Sequence, residues 1–107
     1  MYSWLYIFDE FKPLDTSYSE IVYYLNRDPE KLLELVLEAT NSELKDVEKF
    51  RVHNVYMDRE GGELLVELLI YCSLGEVSAK IIVSPNPLET LKKYYNYEES
   101  KKTNMKP

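Results

Sequence analysis

Residues 50–84, FRVHNVYMDREGGELLVELLIYCSLGEVSAKIIVS, decide the fold, because they read as three consecutive antiparallel strands whose apolar residues share one face. A two-residue hairpin loop fixes which residues oppose each other. With Gly61-Gly62 as the first loop, Met57 pairs with Val66 and Val55 with Leu68. With Leu74-Gly75 as the second, Ile70 pairs with Ala79, Leu68 with Ile81 and Val66 with Val83. Both hairpins then present Val55, Met57, Val66, Leu68, Ile70, Cys72, Val77, Ala79, Ile81 and Val83 to one side, as a sheet packed on helices requires. The reverse side carries Tyr56, Leu65, Glu67, Leu69, Tyr71, Ser78, Lys80 and Ile82, and is mixed in polarity. Before Asn54 the apolar phase slips by one residue, to Phe50 and Val52, so a bulge near His53-Asn54 is expected.

Upstream, Tyr2 to Phe11 reads as one strand, aromatic at Tyr2, Trp4, Tyr6 and Phe8 and apolar on the other side at Leu5, Ile7 and Phe11. Lys12-Pro13-Leu14-Asp15 ends it. Ser17 with Glu20 has the form of a capping box, and Tyr18, Ile21, Val22 and Leu25 follow at helical spacing. Asp28-Pro29 restarts a helix that runs from Pro29 to about Asn41, with Leu32, Leu33, Leu35, Val36, Leu37 and Ala39 as its apolar stripe. Its polar side shows Glu30, Glu34 and Glu38 at successive i,i+4 positions. Such like-charge neighbours are mildly unfavourable in a bare helix, so the row reads as a docking stripe for a basic partner, as a divalent-cation ridge or, most simply, as a solvated face. Downstream, Asn86-Pro87-Leu88-Glu89 is a helix start, with Leu88, Leu91 and Tyr95 able to pack. Residues 98–107 have almost nothing to bury and read as a flexible polar tail.

The predicted architecture is α+β and two-layer, an antiparallel sheet in the order β-α-α-β-β-β-α with helices on one face, forming a single domain over residues 1–97. A chain of 107 residues can bury one core without disulfides or metal. Its single cysteine excludes an internal disulfide, no signal-peptide pattern precedes the first strand, and no apolar run reaches the ~18 residues of a membrane helix. A cytoplasmic protein is the expectation. The absence of Gln, the two Ala and the abundance of Glu and Lys lean toward a thermophile, and the composition is similar to that of small archaeal and viral proteins. The net charge of −6 lies wholly in residues 1–50, where eleven acids face five bases; residues 51–107 hold eight of each. An acidic field disfavours nucleic acid and suits a basic protein partner or imitation of a phosphate backbone, with solubility the plainer reading.

Little in the chain points to catalysis. A nucleophile and base would be Cys72 and His53, which the predicted register brings close on the sheet, yet Cys72 falls on the apolar face where a small buried thiol is the simpler reading. One His and one Cys fall short of a zinc site, and Asp58, Glu60 and Glu63 read as turn residues. No catalytic, cofactor or metal residue is assigned.

The order α-β-β-β-α from Pro29 to Tyr97 resembles the double-stranded-RNA-binding domain in topology, with Lys92-Lys93 in the last helix where that family carries basic residues. The resemblance implies RNA contacts by Lys92, Lys93, Tyr94 and Tyr97. Two features depart from that pattern: Pro87-Leu88-Glu89 opens the last helix where the family places lysines, and the first helix is acidic. Frataxin-like domains are similar in placing an acidic helix before an antiparallel sheet, which would imply iron at the acidic row. Neither pattern accounts for the extra first strand, and no family is assigned.

The leading expectation is a non-enzymatic protein-binding module, an adaptor or an inhibitor such as one of a nucleic-acid enzyme. It would form a homodimer through a sheet face made by Trp4, Tyr6, Phe8, Leu65, Leu69, Tyr71 and Ile82. A nucleic-acid-binding domain and a small enzyme using carboxylates or Cys/His are the alternatives.

Overall fold

The computed structural model of the protein describes residues 3–41 and 43–94. Tyr97 and the predicted 98–107 tail lie outside the described residues. Five strands, β1 (Ser3–Ile7), β2 (Glu10–Leu14), β3 (Lys49–Asp58), β4 (Glu63–Cys72) and β5 (Gly75–Val83), form one antiparallel sheet in the order β2-β1-β5-β4-β3. Helices α1 (Tyr18–Arg27) and α2 (Glu30–Ala39) join its two halves, and α3 is described over residues 87–94.

The predicted single N-terminal strand is a hairpin. Phe8 and Asp9 sit at φ 52° and 58°, both left-handed, so the chain reverses there and Tyr6 pairs with Phe11 and Trp4 with Pro13. Positive φ at both corner residues belongs to the tight turn whose twist matches the strands, usually marked by Asn-Gly. Phe-Asp carries no such mark, so its alternating apolar pattern reads straight through the corner. The Tyr6 hydroxyl donates to Asp9 Oδ1 at 3.2 Å and braces the turn. An L-residue in this region costs about 1–2 kcal/mol, less for Asn. Because Phe8 is 44% exposed and buries little, Phe8→Asn should raise stability by about 1 kcal/mol in urea denaturation. A loss of stability would contradict that account.

The central meander has the predicted faces in a slipped register. Asp58 pairs with Glu63 across a four-residue loop, and Cys72 pairs with Gly75 across Ser73-Leu74. Met57 therefore opposes Leu64, Val55 opposes Val66, Leu68 opposes Ala79 and Val66 opposes Ile81. Each pairing differs by two residues from the prediction. In the first hairpin the chain turns early because Asp58 Oδ1 accepts from the amides of Glu60 and Gly61 at 3.1 and 3.0 Å. In the second, Gly75 at φ 95° takes the left-handed position that follows the corner, not the corner itself. A slip of two leaves every side chain on its own face. The predicted bulge is present, as a register shift between Val52 and Asn54.

One face of the sheet packs under α1 and α2. Leu5, Ile7, Leu64, Val66, Leu68, Ile70, Ala79, Ile81 and Val83 meet Ile21, Leu32 and Val36 in the main core, all essentially fully buried. Each such Val, Leu or Ile side chain contributes about 1.5–3 kcal/mol relative to exposure. The capping box of α1 is formed, with Ser17 Oγ accepting from the Glu20 amide at 3.1 Å and Glu20 Oε1 accepting from the Ser17 amide at 3.2 Å. Helix α2 ends where Asn41 turns left-handed at φ 50°. On the other face, Leu91 of α3 forms a smaller cluster with Leu65 and Ile82, against which Tyr6, Phe11, Tyr56 and Tyr94 pack.

Candidate binding surface at the sheet edge

The strand order leaves two edges, and they are unlike. β2 has five residues with Pro13 among them and Lys12 paired to Glu10 at 3.6 Å, a short edge blunted in the usual way. β3 has ten residues and no proline. On its helix-facing side Phe50 and Val52 pack against the core, but beyond the bulge Val55 is 45% and Met57 36% exposed. Val55 and Met57 were expected beneath helices. The helical layer stops short of them, because ten-residue helices cover the middle of the sheet but not the far half of its outermost strand.

Beside that uncovered half lies an open apolar groove of about 680 Å³. Tyr18, Val22 and Leu25, at i, i+4 and i+7 on α1, form one wall, and Met57, Arg59 and Gly62 form the other. Asn26 stands at the rim, its Nδ2 held by the Val22 carbonyl at 2.9 Å. A second depression of about 440 Å³ lies between α2 and the start of β3, lined by Leu33, Val47 and Phe50 together with Glu30, Glu34 and Glu48. The two hollows flank the two ends of the same strand.

The predicted acidic row is thus partly drawn into a hollow: Glu30 and Glu34 line it, with Glu34 bridged to Lys31 at 3.1 Å, while Glu38 is exposed elsewhere on α2. The predicted sheet-face contact between copies changes more. Leu65 and Ile82 are fully buried and Leu69 is 7% exposed within one chain, so these three are withdrawn from any surface in this conformation. Tyr6 packs on Phe11 with ring centroids 4.8 Å apart, Trp4 is half-buried, and Tyr71 lies beneath the Lys49 ammonium at 5.0 Å. Phe8 remains exposed at the hairpin tip. Of the residues proposed for nucleic acid, Lys92 and Lys93 are exposed, Lys93 Nζ lies 5.7 Å over the Tyr56 ring, and Tyr94 packs in the reverse-face cluster.

Cys72 and His53 are not brought together. Cys72 pairs with Gly75 at the hairpin, whereas His53 lies at the bulge opposite Glu67 and Leu68. Leu68 and Cys72 are four steps apart along β4, roughly 13 Å at the usual rise. No group of three or more His, Cys, Asp or Glu side chains gathers as a metal site among the described residues.

The sequence did not single out a largely buried charge cluster on the reverse face. Glu67 receives Asn54 Nδ2 at 3.1 Å on one oxygen and Ser78 Oγ at 2.6 Å on the other, and Lys80 Nζ lies 3.4 Å from the second oxygen. Lys80 also donates to Ser78 Oγ at 3.0 Å. Burial alone would push the Glu67 carboxyl up, but the hydrogen bonds from Ser78 and Asn54 and the charge of Lys80 together hold it below the usual glutamate range. Its members come from β3, β4 and β5, so it clamps three strands in register. Every buried side-chain nitrogen and oxygen among the described residues has a partner, and this cluster accordingly reads as a structural clamp. No known protein family, curated protein or solved structure matches the chain.

Proposed function

We propose that the chain is a non-enzymatic protein-binding module whose docking element is the β3 edge, which accepts an added strand and seats alternate side chains of that strand in the groove beside α1. The observation that carries this reading is the exposure of Val55 and Met57, two apolar residues on the helix-facing side of a ten-residue edge strand that pairs only with β4 among the described residues. Strand addition draws affinity from main-chain hydrogen bonds and selectivity from pockets for every second side chain. An open edge beside an apolar groove supplies both, and the Asp58-braced loop holds Arg59 at the groove's end.

Selection of a random displayed-peptide library on the immobilised full chain tests this. Enriched peptides should alternate apolar residues with period two, shift the β3 amide signals, and lose at least about tenfold in affinity for Val55→Lys, which places a charge where an apolar side chain would seat. Failure to enrich any peptide, or enrichment of peptides indifferent to Val55→Lys, counts against the edge as a docking element.

A further inference from the structure

We infer that the strand added to β3 is β3 of a second copy, giving a two-fold dimer with one continuous ten-stranded sheet; this rests on the reading of β3 as a strand acceptor. The inference comes from the self-complementarity of β3. A two-fold axis normal to a sheet keeps each side chain on its own face, so residues paired across it must share a face. In a regular strand that forbids pairing odd with even positions. The extra residue between Val52 and Asn54 changes the rule, because Phe50 and Val52 before it and Val55 and Met57 after it all lie on the helix side.

Placing the axis between His53 and Asn54 pairs Lys49 through Asp58 with the same ten residues in reverse, the longest overlap the strand allows. On the helix side Phe50 then meets the partner's Met57 and Val52 meets the partner's Val55. The two exposed apolar residues of each copy are thereby covered by the two partly buried ones of the other. On the reverse side Arg51 meets the partner's Tyr56, a cation over a ring, and Lys49 meets the partner's Asp58. Just beyond the strand, Glu48 meets the partner's Arg59. Each contact occurs twice by symmetry. A bulge normally protects an edge by mismatching an incoming strand; here the two bulges face each other and the mismatch cancels. The short, proline-bearing β2 edge has no such pattern.

Sedimentation velocity of the full chain over a concentration series tests the proposal. Wild type should be dimeric at micromolar concentration, and Val55→Lys should be monomeric to at least tenfold higher concentration with an unchanged circular dichroism spectrum, since Val55 is 45% exposed. The register is tested by charge reversal at the exposed Glu48 and Arg59. Glu48→Arg or Arg59→Glu alone should weaken association about tenfold, and the double variant should restore it. Wild type that stays monomeric, a dimer indifferent to Val55→Lys, or a charge swap without rescue overturns the self-pairing. If wild type is monomeric yet peptides are still selected and Val55→Lys abolishes them, the strand-acceptor reading stands and its occupant is a foreign strand. If neither association nor peptide binding occurs, both fail. Should Val55→Lys fail to fold, the charge-reversal set decides alone.

Discussion

Glu67→Ala should destabilise the fold by about 3 kcal/mol at neutral pH, the low end for breaking a buried pair, because the Glu67 side chain keeps 13% exposure while that of Lys80 keeps 6%. The variant leaves an ammonium in the sheet without its carboxylate, and Asn54 and Ser78 without the oxygens they bind. Glu67→Leu combined with Lys80→Met should recover most of the loss, since replacing both members of a buried pair by apolar groups is often neutral. The pH dependence has a definite sign. The folded carboxyl titrates below its ordinary value of 4.5, so its contribution is complete above that value and is lost as pH falls through the lower folded one. Urea denaturation at pH 7 and pH 3 measures both effects. Wild type should lose stability between those points by more than the double variant does. A single-variant loss under about 1 kcal/mol would mean that the cluster is not an effective clamp.

Why the faces were legible and the register was not follows from the period of a strand. Alternation in residues 50–84 assigns each side chain to a face whatever the loop length, so Val66, Leu68, Ile81 and Val83 are placed correctly even with both loops misplaced. The corners depend on single hydrogen bonds and φ values, such as the Asp58 carboxylate on its own loop amides, which pattern does not carry. Phe8-Asp9 is the extreme case, a hairpin corner without glycine or asparagine. The uncovered half of β3 was hidden for a different reason. Exposure of Val55 and Met57 depends on how far two ten-residue helices reach across five strands, a tertiary property absent from local periodicity. Glu67 and Lys80 were legible as reverse-face residues, but their contact requires the observed β4–β5 pairing, which sets them directly opposite.

Leu91→Ala should cost about 2–4 kcal/mol, the range for truncating a buried leucine, and it should uncover the reverse face of the sheet. Leu91 is 4% exposed and is the buried side chain that α3 adds to Leu65 and Ile82, both completely buried, with Tyr94 packed beside it. The start of α3 is fixed separately. Thr90 Oγ1 lies 2.7 Å from Ser84 Oγ and 3.2 Å from Glu63 Oε2, and Asn86 Oδ1 accepts from the Glu89 amide at 3.3 Å. The helix therefore keeps its anchor when the leucine is shortened, and the loss reports packing on the sheet, not unwinding of the first turn. Leu91→Asp carries the test further, because a carboxylate facing Leu65 and Ile82 has no partner there and would drive α3 off. Lifting α3 exposes Leu65, Ile82, Tyr6 and Tyr56 as a contiguous apolar surface, the kind that single chains rarely leave uncovered. Leu91→Asp should accordingly bind a hydrophobic dye several-fold more strongly than wild type and form larger species than wild type in sedimentation, with its strand circular dichroism retained. Leu65 and Ile82, predicted from the sequence as contact residues between copies, lie under α3 in the native chain, so association through that face is expected only when α3 is displaced. A Leu91→Asp variant with unchanged stability, dye binding and sedimentation would show that α3 does not guard this face.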